Sequence, residues 1–210
     1  MKSKLINAVL FCRSIYIGLK KRIFHRAPAV TVHNLGISGN TADDLLNRVN
    51  RVTQLNPDLV ILMIGTNDAR RGGAVFENYK KSLSSVIGEI KKQGATILLV
   101  KPPPIFKNMP GNKRVQHICN IINGLSIKEN CYVLDIYDLI NNNRDGARFI
   151  KRDGFHPNRA GQKFIGQHVY TFLVQNNLVK KTIVCFGDSI TARTGLKAPY
   201  PEILQNLLNR

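Results

Sequence analysis

Acidic residues are scarce in this chain. Thirteen Asp and Glu stand against 31 Lys and Arg, for a formal charge of +18 over 210 residues. A field that positive attracts anionic lipid, acidic polysaccharide or nucleic acid and raises encounter rates with each. The basic residues are spread along the chain with no recognition-helix, RNP or zinc-finger pattern, so a specific nucleic-acid reader is not expected. A basic, solvated surface is the plainer reading. Cysteine is also sparse. Cys12, Cys119, Cys131 and Cys185 form no CxxC pair, and no histidine stands at metal-ligand spacing from them. That excludes a recognisable zinc site, and no metal or cofactor is implied. A disulfide framework is not expected either, which suits a reducing compartment. Cys185 and Cys131 fall in strand-like segments and read as small buried hydrophobes.

Long apolar runs are missing too. Leu5 to Phe11 follows the basic Lys2 and Lys4, but Arg13 interrupts it, and the run is too short to span a bilayer. No small-x-small cleavage site follows, and Val9-Leu10-Phe11-Cys12 lacks the small residue expected before a lipidated cysteine. The expected location is therefore cytoplasmic or peripheral to a membrane rather than secreted. Leu5, Val9, Cys12, Tyr16, Leu19 and Ile23 recur at helical spacing among Lys20, Lys21, Arg22 and Arg26, which makes residues 1–26 a basic amphipathic leader. Such a helix can lie on an anionic membrane or dock on its own domain, and both readings stand. Residues 27–210 contain no repeat, low-complexity tract or linker and are expected to form one monomeric domain.

What is present is an alternation of short apolar runs with helical patterns. Val30–Leu35, Asp58–Ile64, Ala95–Val100, Tyr132–Leu134 and Thr182–Phe186 read as strands. Asp58–Ile64 is a continuous apolar run, as in a strand buried on both faces. A helix is expected from Thr41, with Asp44 completing a capping box and Leu45, Leu46, Val49 and Val52 as its apolar face, up to Asn56-Pro57. Others are expected over about 75–92, 113–129, 159–175 and 200–208, the last with Pro201 in its first turn. The alternation predicts an α/β fold: an open parallel five-stranded sheet with helices on both faces, a flavodoxin-like three-layer arrangement.

In such a sheet, sites form beyond the carboxyl ends of the strands. Ser189 follows the 182–186 strand in Gly187-Asp188-Ser189, and Gly39 follows the 30–35 strand in Gly36-Ile37-Ser38-Gly39-Asn40-Thr41. Asn67 follows the 58–64 strand in Gly65-Thr66-Asn67-Asp68, and Asp153 and His156 lie beyond the 132–134 strand. Separate loops thus bring a nucleophile, a base with its carboxylate and hydrogen-bond donors to one rim. A serine hydroxyl needs a neighbouring base, and a histidine titrates in the right range. His156 is the candidate base and Asp153 its orienting carboxylate, with Pro157 stiffening the loop. The N–H groups of Ser189 and Gly39 and the Asn67 amide are candidate oxyanion donors. Asp188 reads as structural, capping nearby N–H groups, and His25, His33, His117 and His168 as non-catalytic.

At these blocks the chain resembles the SGNH hydrolases, the GDSL-type esterases and lipases. The resemblance covers residues 28–210 and implies the nucleophile, oxyanion-hole and base roles for Ser189, Gly39, Asn67, Asp153 and His156. It departs in order. The family begins with the Gly-Asp-Ser strand, whereas here that strand comes last, and joining Arg210 to about Ala27 restores the usual order. The chain therefore resembles a circularly permuted member, with the former ends joined through Asn177 to Lys181.

The expected function is a serine esterase acting on small or medium acyl esters through an acyl-enzyme on Ser189. An O-acetyltransferase or carbohydrate acetylesterase would use the same residues. A membrane-surface or polyanion-binding module, with the leader at work, is the alternative of another class.

Overall fold

The computed structural model describes residues 29–72, 75–192 and 198–210, so the amphipathic leader expected over residues 1–26 lies outside the described part. Five parallel strands form one sheet, β1 (Thr31–Gly36), β2 (Leu59–Met63), β3 (Thr96–Lys101), β4 (Tyr132–Asp135) and β5 (Thr182–Gly187), in the order β1-β5-β2-β3-β4. The expected α/β sheet is what the chain forms, with its last strand near the middle.

The apolar runs sort by strand periodicity, since successive side chains point to opposite faces. Leu59, Ile61, Met63, Ile183 and Cys185 enter one core cluster, while Val60, Leu62, Val184 and Phe186 enter the other. Helices α1 (Ala42–Leu46), α2 (Asn50–Thr53), α3 (Thr66–Arg71), α4 (Val75–Lys91) and α5 (Met109–Lys128) contribute to the second cluster. Helices α6 (Ile136–Asn141), α7 (Arg159–Gln175) and α8 (Tyr200–Leu208), with a 3₁₀ turn at Gly146–Phe149, cover the opposite face. Each fully buried Leu, Ile or Val side chain stabilises such a core by about 1.5–3 kcal/mol.

Strand β1 is an edge whose outward N–H groups would otherwise face solvent. Two amides one helical turn apart on or just beyond α8 take them up. Val32 N donates to Gln205 Oε1 at 2.7 Å, and Val30 N to Asn209 Oδ1 at 3.1 Å. Gln205 and Asn209 also donate to Val30 O, so the end of the chain is fastened to the start of β1.

The single helix expected from Thr41 is two short ones. The capping box forms as expected, with Thr41 N donating to Asp44 Oδ2 at 2.9 Å. After Leu46, however, Arg48 N bonds Leu45 O and Val49 N bonds Leu46 O, three-residue bonds that break the α pattern. The break lets the Arg48 side chain turn inward, as described below. Helix α5 begins before the expected residue 113, because Asn108 caps Gly111 N at 3.0 Å and Pro110 fits the first turn.

Candidate active site

The register explains why the loops converge. Gly36 of β1 and Met63 of β2 both stand opposite Gly187 of β5, so three strands end level and their following segments leave the sheet together. Ser38-Gly39, Asn67 and Ser189 come from those segments.

Ser189 sits in a tight turn in which Thr191 N and Ala192 N both donate to Asp188 O, at 3.2 and 2.9 Å. Gln162, almost wholly buried on α7, braces the turn by donating to Ile190 O at 3.0 Å while accepting from Tyr200 N at 2.8 Å. Only 8% of Ser189 is exposed, and its Oγ lies 3.0 Å from His156 Nε2.

His156 stands on a loop held by backbone hydrogen bonds, two of them within the loop and one from Phe106. Lys151 N donates to His156 O at 2.7 Å, Gly154 N to Lys151 O at 3.0 Å, and Phe106 N to Gly154 O at 2.7 Å. Gly154 has φ +87°, and a Cβ there would meet Phe106 O at 2.4 Å, so both conformation and space require glycine. Asp153 Oδ2 is 2.8 Å from His156 Nδ1, and its Oδ1 accepts from Phe155 N and His156 N at 3.0 Å each. Partial burial works to raise the Asp153 pKa, but the two N–H donors and the imidazole outweigh it and hold the carboxyl below its ordinary range. Ser189, His156 and Asp153 therefore form a continuous hydrogen-bonded chain.

Asn67, in the first turn of α3, reaches the same place. Its Nδ2 donates to Asn40 O at 2.9 Å and lies 3.4 Å from Asp188 Oδ2. Gly39 has φ +81°, and a Cβ there would meet nothing within 4 Å, so its backbone borders open space. Ser38, Gly39, Asn67, His156 and Ser189 line a cavity of about 320 Å³, with Arg70 and Lys151 completing its wall. All the site residues expected from sequence thus come together at one cavity or, for Asp153, directly behind it. Among the other described histidines, His168 Nδ1 bonds Phe164 O and His117 packs on Phe76, both away from this cavity.

Asp188 does more than cap. Its Oδ1 accepts from Ile190 N at 2.9 Å as expected, but its other oxygen faces the Asn67 amide. Burial is the largest influence on it and pushes its pKa up to about 7, with Asp68 adding repulsion. Asp68, whose Oδ1 accepts from Ala42 N at 3.1 Å, is likewise raised by burial, to about 6. Both carboxyls lie buried beside Asn67, and each is harder to ionise there than in water.

Arg48 is the residue that sequence reasoning missed. Only 9% exposed, it donates to Leu35 O and Gly187 O at 2.9 Å each and to Asn40 Oδ1 at 2.7 Å. Its guanidinium carbon lies 4.5 Å from the Phe186 ring centroid, within cation–π range. Burial above all, then Arg51, lowers its pKa to about 10. One buried cation therefore ties the ends of β1 and β5 to Asn40, whose carbonyl receives the Asn67 amide. The only sequence signal was a charge set among Leu45, Leu46, Val49 and Val52.

A family model described as the GDSL-like Lipase/Acylhydrolase family matches residues 12–164. That stretch includes the Gly39, Asn67 and Asp153–His156 blocks and ends before Gly187-Asp188-Ser189. An arylesterase of Vibrio mimicus is 27% identical over 150 residues, covering 70% of this chain and 72% of the relative. Among solved structures, the lipase/acylhydrolase from Enterococcus faecalis superposes with a TM-score of 0.60 at 23% identity, over 68% of this chain and 74% of that one. The acetyl xylan esterase AlAXEase gives 0.57 at 29% identity, over 66% and 78%.

Proposed function

The chain belongs to the GDSL-like lipase/acylhydrolase family and is a carboxylic ester hydrolase; from that premise we propose that it cleaves esters of small or medium acyl groups through an acyl-enzyme on Ser189. The observation that carries this reading is the unbroken chain Ser189 Oγ–His156 Nε2–His156 Nδ1–Asp153 Oδ2, with steps of 3.0 and 2.8 Å.

Ser189 Oγ attacks the ester carbonyl carbon as its proton passes to His156 Nε2. Asp153 fixes the tautomer that leaves Nε2 free to accept and stabilises the imidazolium. The oxyanion is received by the N–H groups of Ser189 and Gly39 and by the Asn67 amide. That amide is firmly engaged with Asn40 O at 2.9 Å, whereas its 3.4 Å approach to Asp188 lies beyond the usual range, so its second N–H is the one to turn toward substrate. The intermediate collapses, and the leaving alkoxide takes the proton from Nε2. Water, deprotonated by the same nitrogen, then attacks the acyl carbon and releases the acid and Ser189. A cavity near 320 Å³ suits a short acyl chain, as do the arylesterase and acetyl xylan esterase relatives. Fluorophosphonate labelling mapped to Ser189, together with turnover of a chain-length panel of aryl esters, tests the reading. Labelling at another residue, or turnover rising with long chains, would overturn it.

We further propose that the chain order is a circular permutation. Strand β5 lies between β1 and β2, Asn209 is bonded to Val30, and the matched family region ends before Gly187. A rearranged chain in which residues 180–210 precede residue 29 should fold and hydrolyse the same esters. Failure to fold would remove this proposal and leave the catalytic one untouched.

A further inference from the structure

The catalytic cavity has two cations in its wall, Arg70 and Lys151, and neither forms an ion pair among the described residues. Both are attached to the histidine loop. Lys151 N donates to His156 O at 2.7 Å, which places this residue alongside His156. The Arg70 guanidinium carbon stands 4.0 Å from the Phe155 ring centroid, and that ring is 4.0 Å from the His156 ring. Stacking on Phe155 restricts where the Arg70 charge can go, since a guanidinium over an aromatic face keeps its planar donors directed outward.

The carboxylates nearby have other partners. Asp153 is engaged by His156 and two backbone N–H groups, Asp188 by Ile190 N and Asp68 by Ala42 N, and none of them forms an ion pair with Arg70 or Lys151. The wall next to His156 therefore presents two cationic groups with no ion-pair partner among the described residues. It is also the side past which the alcohol must leave, because Nε2 gives its proton to the leaving oxygen.

We propose that the preferred substrates are esters whose alcohol portion bears a negative charge, held by Arg70 and Lys151 beside His156. This rests on the esterase reading above and names its substrate class. A carboxylate on the alcohol part meets two cationic donors with no protein carboxylate to displace. Partial exposure and ionic screening limit each contact to a modest effect.

The test uses 4-acetoxybenzoate and its uncharged methyl ester near neutral pH, with wild type, Arg70→Gln, Lys151→Gln and the double variant. The ratio of kcat/KM for the charged over the uncharged ester should fall about tenfold in the double variant and by less in each single one. In wild type the same ratio should fall as salt is added, a measurement that needs no substitution. A ratio unchanged by the double substitution overturns this inference whatever its salt dependence, since the +18 charge alone would give one, while continued turnover of the methyl ester leaves the esterase reading standing. No turnover of either ester, with no fluorophosphonate labelling of Ser189, overturns both.

Discussion

The Gly187–Thr191 turn and the Lys151–Pro157 loop meet across one hydrogen bond, yet they are built by opposite means. The turn is almost wholly buried, and its supports come from far along the chain: Arg48 on Gly187 O, Gln162 on Ile190 O, Asn67 against Asp188. The loop is partly exposed and held mostly from within, with Asp153 accepting from its own neighbours Phe155 and His156 and a bond from Phe106 N to Gly154 O anchoring it from outside. Ser189 is thus fixed by the core and His156 mainly by local backbone geometry. Damage to the supports of the turn should cost stability first, whereas damage within the loop should cost catalysis with little change in stability.

The largest effect is expected at the junction. Ser189→Ala removes the proposed nucleophile and should lower kcat/KM for an activated short-chain ester by at least about 10⁴-fold. Its urea midpoint should stay close to wild type. Turnover like that of wild type would remove Ser189 from the mechanism.

Asp153→Asn probes the loop alone. An amide keeps one oxygen for the Phe155 and His156 N–H groups but no longer fixes the productive imidazole tautomer, and kcat should drop by about 10³–10⁴-fold. Stability should change by less than about 1 kcal/mol, as for other substitutions at the surface. Arg48→Met probes the supports of the turn. It strands Leu35 O, Gly187 O and Asn40 Oδ1 inside the protein, and although a buried charge is relieved, a net loss of about 3 kcal/mol is expected. Urea unfolding of both variants beside their ester turnover checks the contrast. Equal losses of stability in the two would break it.

The sequence made the strands legible because alternating burial writes itself into short apolar runs, as in Leu59–Met63, and made the site legible because each polar block follows a strand end. The Thr41–Asp44 capping box is a local pattern and was readable as one. Arg48 was not, because its partners are backbone carbonyls, one of them 139 residues away. Gln162 is hidden for the same reason, bonding Ile190 O and Tyr200 N across the fold. Arg70 and Lys151 are two among 31 basic residues, and only the arrangement of Phe155 and His156 singles them out. Side chains that serve distant backbone leave no spacing to detect.

The effect read as a slope rather than as a lost contact concerns Asp188, where the core side of the contrast becomes pH-dependent. Its folded pKa, raised to about 7 from an ordinary value near 3.8, means the folded protein holds a proton that the unfolded chain has released across that interval. Its stabilising contribution is therefore complete below about pH 4 and is lost as pH rises through about 7, with a slope of at most about 1.4 kcal/mol per pH unit. Asp68, raised to about 6, adds a loss over a lower interval. Asp188→Asn keeps an oxygen for Ile190 N and cannot ionise, so it removes the first contribution and leaves the second. Urea midpoints taken between pH 4 and 8 should fall less steeply in this variant than in wild type, with the two curves drawing together or crossing toward pH 8. Parallel curves would mean that the buried carboxyl behind Asn67 does not titrate in this range, and that the turn is held equally well at every pH at which the loop can work.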